Sequence, residues 1–172
     1  MRFEIKEDAI YFTRDGEVGK LSACGKDSIR FQASPTGQLI DQDWTLMPYK
    51  VQAKAWLDGN TAIITTGNMS AKMYENGRIE YYRNEKRILS EKCDLAFGCG
   101  IRNYHNTASG LWSAWVTFEA NAKEHFYGLG HEATGCFDLK GCTIDLRHVN
   151  AKCTIPYVYS SLGYGFLWNM PS

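Results

Sequence analysis

The stretch "MSAKMYENGRIEYYR", residues 69–83, decides the fold. Its apolar residues fall on every second position. Met69, Ala71 and Met73 share one face of an extended chain, and Ser70, Lys72 and Tyr74 share the other, because successive strand side chains point to opposite faces. Asn76-Gly77 follows, a dipeptide that tolerates the positive φ a tight hairpin demands. Ile79 and Tyr81 then resume the alternation. The segment predicts two antiparallel strands joined by a turn.

The same grammar extends in both directions. "RDGE" (14–17), "SPTG" (34–37) and "LDGN" (57–60) are further turn signals. Between them "SIRFQAS", "AKAW" and "TAIITT" read as short strands, as does "CTIPYVYSS" near the end. "GLWSAWVTFEA" (110–120) places Trp112, Ala114, Val116 and Phe118 on one face, with Trp115 on the other. This pattern predicts one tryptophan buried and the other in contact with a second sheet or domain. No stretch sustains a 3.6-residue period. The charged "YYRNEKRILSEK" comes nearest, and Tyr81, Tyr82 and Ile88 pull it toward a strand. Frequent turns between short strands predict an all-β protein, an antiparallel β-sandwich with few or no helices. With 172 residues and no linker or repeat, the chain reads as a single domain over 1–172.

Composition excludes several classes of function. Hydrophobic residues make up 44% and aromatics 13%, which suits a packed globule and not a disordered segment. Lys plus Arg equals Asp plus Glu at 19 each, so no basic field marks a nucleic acid or membrane-surface partner. No apolar run approaches the ~20 residues of a membrane helix. The N-terminal "MRFEIKEDAIYF" lacks the apolar core of a secretion signal. That points to a cytoplasmic protein whose six cysteines are reduced and serve as small apolar residues.

Catalytic signatures are missing. "HEATG" begins like H-E-x-x-H at His131 but puts Gly135 where the second zinc ligand belongs, so no metal site is expected. There is no nucleophile elbow, phosphate loop or dinucleotide fingerprint, and no cofactor is expected. Scattered carboxylates offer no glycosidase pair to nominate.

Three later segments carry a resemblance. "FYGLG" (126–130), "DLKG" (138–141) and "TIPYVYSSLGYGFLWNMPS" (154–172) resemble, in order, the N-terminal β-sandwich domain of glycoside hydrolase family 31. "GKDSIRFQAS" and "ENGRIEYYRNEKRILSEK" echo earlier strands of that domain. The resemblance implies a galactose-mutarotase-like supersandwich at the front of a retaining α-glucosidase or α-xylosidase. It also accounts for the missing chemistry, since the family's two catalytic carboxylates lie in a following (β/α)₈ barrel that this chain does not contain. The implied partners are that barrel, in the same polypeptide, and a carbohydrate substrate. Homo-oligomerisation is left open. The isolated chain is expected to be inactive.

Two departures mark this sequence. His131 stands where many members have glutamate directly after G-L-G, and Glu132 follows it. The loop before the I-P strand, "DLRHVNAKC", has no aspartate at the position that reaches the sugar in many members. Asn150 is the nearest equivalent, with His148 second and Arg147 beside them. These three are the candidate substrate-binding residues, because amides and imidazoles can both donate to and accept from hydroxyls. Gly128 and Gly130 read as a tight turn needing positive φ or a close approach of backbones, and Gly163 and Gly165 as a hairpin.

Two other functions remain as alternatives. Exposed tryptophans would make a free carbohydrate-binding module. A mutarotase-like epimerase would need a converging acid–base pair. The pairs adjacent in sequence, Glu124 with His125 and His131 with Glu132, would point apart on a strand.

Overall fold

A computed structural model of the chain describes residues 1–40, 45–47, 50–93, 100–131 and 135–170. Among the described residues there is no helix, and the elements are strands β1 to β14 in antiparallel sheets. The all-β expectation is met. The chain divides into two compact units, Met1–Glu119 and Ala120–Ser172.

The first unit is a sandwich. One sheet is a meander of β1 (Arg2–Lys6), β2 (Ala9–Arg14), β3 (Glu17–Gly25) and β4 (Ser28–Ser34). The facing sheet is a second meander of β5 (Lys54–Asp58), β6 (Thr61–Thr66), β7 (Met69–Met73), β8 (Ile79–Arg83) and β9 (Lys86–Ser90). The inner faces carry alternate residues, as period 2 requires. Ile10, Phe12 and Leu21 from the first sheet meet Ala62, Ile64, Ala71, Met73 and Ile79 from the second, all buried. Phe3, Ile5, Phe31, Ala55 and Tyr81 close the margins. Full burial of each large aliphatic stabilises by about 1.5–3 kcal/mol relative to exposure.

Tight turns set the registers. Asp15-Gly16 links Arg14 to its partner Glu17 with both φ angles positive, 47° and 86°. Glu7-Asp8 and Asn84-Glu85 do the same between β1 and β2 and between β8 and β9 without glycine, at φ of 49° and 56°, and 47° and 65°. At "YENG" the amide of Gly77 donates to Tyr74 O at 2.8 Å and the amide of Tyr74 to Arg78 O at 2.9 Å. A further hairpin of β10 (Arg102–Asn106) and β11 (Trp112–Val116) completes the unit. Its exit runs beside β9 through the bridge Glu91↔Phe118.

That hairpin corrects one expectation. Ala114, Val116 and Phe118 do share the more covered face, but Trp112 and Trp115 are both exposed, at 43% and 49%. Trp112 opens the strand next to Leu111, which is exposed as well.

Two charge clusters pin the first unit. Arg102 on β10 donates Nε to Glu17 at 2.8 Å and Nη1 to Glu91 at 2.7 Å. Nη2 donates to Gly77 O at 3.1 Å. Tyr104 OH donates to Glu17 at 2.6 Å, and the Ile79 amide donates to Glu91 at 2.9 Å. The guanidinium also lies 4.7 Å from the centre of the Phe31 ring. The second cluster surrounds Glu80, which accepts from Tyr74, Tyr82 and Arg87 while Arg78 lies 3.1 Å away. Burial pushes the Glu80 carboxyl up, but those hydrogen bonds and the Arg78 charge outweigh it and hold the group down at about 2.

Candidate functional site

The second unit contains all three resemblance segments. Its sheet has the order β12 (Phe126–His131), β13 (Cys153–Ser160), β14 (Tyr164–Leu167). The β13–β14 hairpin turns at Gly163, whose amide donates to Ser160 O at 2.9 Å and whose φ is 80°. In "FYGLG" the register shifts between Gly128 and Gly130, a bulge with φ of 114° and 85° at the two glycines. A Cβ on Gly128 would lie 2.7 Å from Tyr157 O, and one on Gly130 would strike the Cys153 carbonyl oxygen. Both glycines are there because two backbones approach too closely for a side chain.

"DLKG" pins a strap onto β12. Asp138 Oδ1 accepts from the amides of Phe126 at 3.1 Å and Lys140 at 3.0 Å. Its other oxygen lies 2.6 Å from His125 Nδ1. The His125 hydrogen bond, then the two amides, hold the Asp138 carboxyl down at about 2. Leu139 N donates to Phe126 O at 2.8 Å, and Lys140 Nζ donates to Asn121 O. Glu124, one residue before His125, turns elsewhere. It is buried and accepts from Ser160 and from Tyr164 OH. Glu124 and His125 therefore serve different partners and form no acid–base pair. His131 is exposed at the end of β12, and Glu132 lies outside the described residues.

Strap and sheet line an open cavity of about 350 Å³. Phe126, Pro156, Val158, Phe166 and Trp168 form its sheet side, and Leu139, Ile144 and Leu146 its strap side. The lining is apolar, with no group suited to general acid–base chemistry. Among the described residues no three His, Cys, Asp or Glu side chains gather as metal ligands would.

The candidate sugar loop rises from the end of the strap. Arg147, His148 and Asn150 are all exposed. Arg147 sits at the base: its Nε pairs with Asp145 at 3.0 Å and its carbonyl accepts from Thr154 Oγ1 at 3.2 Å. His148 faces its own strand, with Nδ1 3.5 Å from the Thr154 amide. Asn150 and Ala151 form the tip of a turn closed by Lys152 N donating to Val149 O at 3.0 Å, with Ala151 at φ 67°. The loop thus brings the three together as two anchors and one presented amide.

Among the described residues nothing covers the opposite face of the sheet. Ile155, Tyr157 and Tyr159 alternate along β13 at 52%, 40% and 52% exposure, and Leu167 of β14, opposite Tyr157, is 41% exposed. The Tyr157 ring crosses β14 at Gly165, where a Cβ would strike its hydroxyl. Phe137, on the strap, is 86% exposed and packs tilted against Tyr127, with ring centres 5.0 Å apart. Sequence reasoning missed this face, although the alternation I-x-Y-x-Y was its signal.

No family model matches the chain. Among curated proteins it is 29% identical to an uncharacterized family 31 glucosidase, ORF2, of Pseudescherichia vulneris, over 96% of this chain and 35% of that protein. It is 36% identical to alpha-xylosidase A of Aspergillus niger, over 67% of this chain and 16% of the enzyme. Among solved structures, a family 31 α-xylosidase from a soil metagenome, complexed with xylose, superposes with a TM-score of 0.91 at 29% identity. That match covers 98% of this chain and 28% of the enzyme. The chain spans about a third or less of the relatives it matches. These neighbours are family 31 α-xylosidases and glucosidases, and the likeness is consistent with an N-terminal domain of that family.

Proposed function

We propose that this chain is the N-terminal β-sandwich domain of a cytoplasmic, retaining α-glycosidase acting on α-xylosides or α-glucosides. It braces the catalytic barrel and lends the loop 147–152 to the sugar pocket. The observation that carries the reading is the uncovered face of Ile155, Tyr157, Tyr159 and Leu167. A sheet that is apolar on both sides, with the cavity on one and this face on the other, suits the interior of a larger assembly. The matched relatives are roughly three times longer or more, which supports further polypeptide as the cover. In the complete enzyme two barrel carboxylates ~5 Å apart would carry out double displacement. The loop's part is to bind a hydroxyl through Asn150, while Arg147 and His148 hold its base.

Kinetics of the complete polypeptide test the loop. A hydroxyl-binding group removed from a closed pocket costs ~1–3 kcal/mol, roughly ten- to a hundred-fold. Asn150→Ala should lower kcat/KM on an aryl α-xyloside or α-glucoside by that factor and leave the unfolding midpoint unchanged, because the side chain is exposed here. Wild-type kinetics would reduce the loop to a connector. A second reading draws on Trp112 and Trp115, whose exposure suits a carbohydrate-binding module. Their spacing of three puts them on opposite faces of β11, so they do not make one stacking platform.

A further inference from the structure

The loop 147–152 meets the sheet at Thr154, a residue that the proposed function leaves without a part. Thr154 is the second residue of β13 and is buried. It pairs with Gly130 across the bulge in β12, so its backbone is fixed by the sheet and not by the loop. Its hydroxyl donates to the Arg147 carbonyl at 3.2 Å, and its amide donates to His148 Nδ1 at 3.5 Å. Both contacts land on the stem from which the turn of Val149 to Lys152 rises. The Asp145–Arg147 pair on the same stem is exposed on both partners, and an exposed ion pair contributes little. The Thr154 hydroxyl is the firmer tie, because a buried hydroxyl keeps its hydrogen bond. Asn150 sits at the tip of the turn, so its place is set through that stem. Cys153, one position earlier on β13, faces the opposite way and is exposed, as are Cys136 and Cys142, so the expectation of small apolar cysteines is corrected for these three.

We propose that Thr154 is a positioning residue for the sugar pocket: by clamping the Arg147 carbonyl it sets where Asn150 presents its amide. Under the proposed function Asn150 binds a sugar hydroxyl, and the part of Thr154 rests on that reading. Thr154 itself does not touch substrate. Its hydroxyl and amide grip two consecutive residues of the loop, which fixes both the height and the tilt of the stem. A loop free to tilt would spread the amide over many places, and a displacement of about 1 Å is enough to cost a bound group most of its effect. Serine can make the same bond, and valine, β-branched like threonine, cannot. The Arg147 carbonyl belongs to an exposed residue, so water replaces the lost donor and the fold is spared. Valine therefore removes the clamp and little else.

Kinetics of the complete polypeptide on an aryl α-xyloside or α-glucoside test the clamp. Thr154→Val should lower kcat/KM by roughly two- to tenfold, the range of one net hydrogen bond, and Thr154→Ser should keep most of the wild-type value. The loss should vanish when Asn150 is already alanine, because no amide is then left to place. A loss of the same size in the Asn150→Ala background would mean a merely structural role and overturn the assignment. Wild-type kinetics of Thr154→Val beside an impaired Asn150→Ala would overturn it too, while leaving the loop in the pocket. An unimpaired Asn150→Ala would remove the loop from the pocket, and the clamp with it. The 172-residue chain gives a second measure that needs no activity. Trypsin cuts after Arg147 and Lys152, and cutting of a loop that opens and closes quickly tracks its open population. Thr154→Val should speed these two cuts by roughly two- to tenfold and leave the other tryptic sites as they were. Equal rates in wild type and variant, or acceleration at every site alike, would overturn the assignment.

Discussion

Glu80 shows how one residue makes this sandwich depend on pH. Its carboxyl is held at about 2 in the folded chain, against an ordinary 4.5. A carboxyl with a lowered folded value stabilises fully above its unfolded value and loses that contribution as pH falls toward the folded one. The stability gap between wild type and Glu80→Gln should therefore be full at neutral pH and shrink from about pH 4.5 down to about 2, as read by urea unfolding at stepped pH. A gap that stays constant across that window would mean that Glu80 does not titrate with folding. Gly130 belongs to the same scale. At φ 85° and against the Cys153 carbonyl, Gly130→Ala should destabilise by about 1–3 kcal/mol or more, seen as a lower urea midpoint.

Among the elements, Arg102 has the widest reach, because it ties β10 to Glu17 of β3 and to Glu91 beyond β9. Replacing it with methionine leaves two carboxylates without their counter-charge in a site where Arg102 and Glu91 are almost fully buried. Breaking such a pair from one side costs about 3–5 kcal/mol, so Arg102→Met should lower the urea midpoint far more than Lys6→Met at the exposed Lys6–Glu4 pair. Equal effects would rule out a buried role. None of this was legible in the sequence, where Arg102 and Glu17 stand 85 positions apart. What was legible is local. β4 and β6 match "SIRFQAS" and "TAIITT" residue for residue, because period 2 and flanking turns leave no competing element. The N-terminal strands β1 to β3 went unread, since Glu7-Asp8 turns with positive φ but lacks the glycine that announces a hairpin. In the candidate site, the loop 147–152 was singled out by a family resemblance and by its polarity. The strap's anchor at Asp138 was not, because its partners Phe126 and His125 are supplied by the fold.

For the molecule as a whole, the uncovered face of β13 and β14 governs behaviour in isolation. Ile155, Tyr157, Tyr159 and Leu167 should make the purified chain bind a hydrophobic dye and self-associate as concentration rises. Tyr157→Lys and Ile155→Lys should relieve both in the isolated chain. In the complete polypeptide the same changes should lower stability, because a charge would then be buried at the interface. Lysine variants harmless in both settings would show that nothing covers this face.

Under the proposed function, the chain supports catalysis without performing it. The most direct measurement is hydrolysis of an aryl α-xyloside and an aryl α-glucoside by the purified 172-residue chain, side by side with the complete polypeptide. Turnover is expected from the complete polypeptide and none from the chain alone. Turnover by the chain alone, abolished by replacing a carboxylate within residues 1–172, would contradict it.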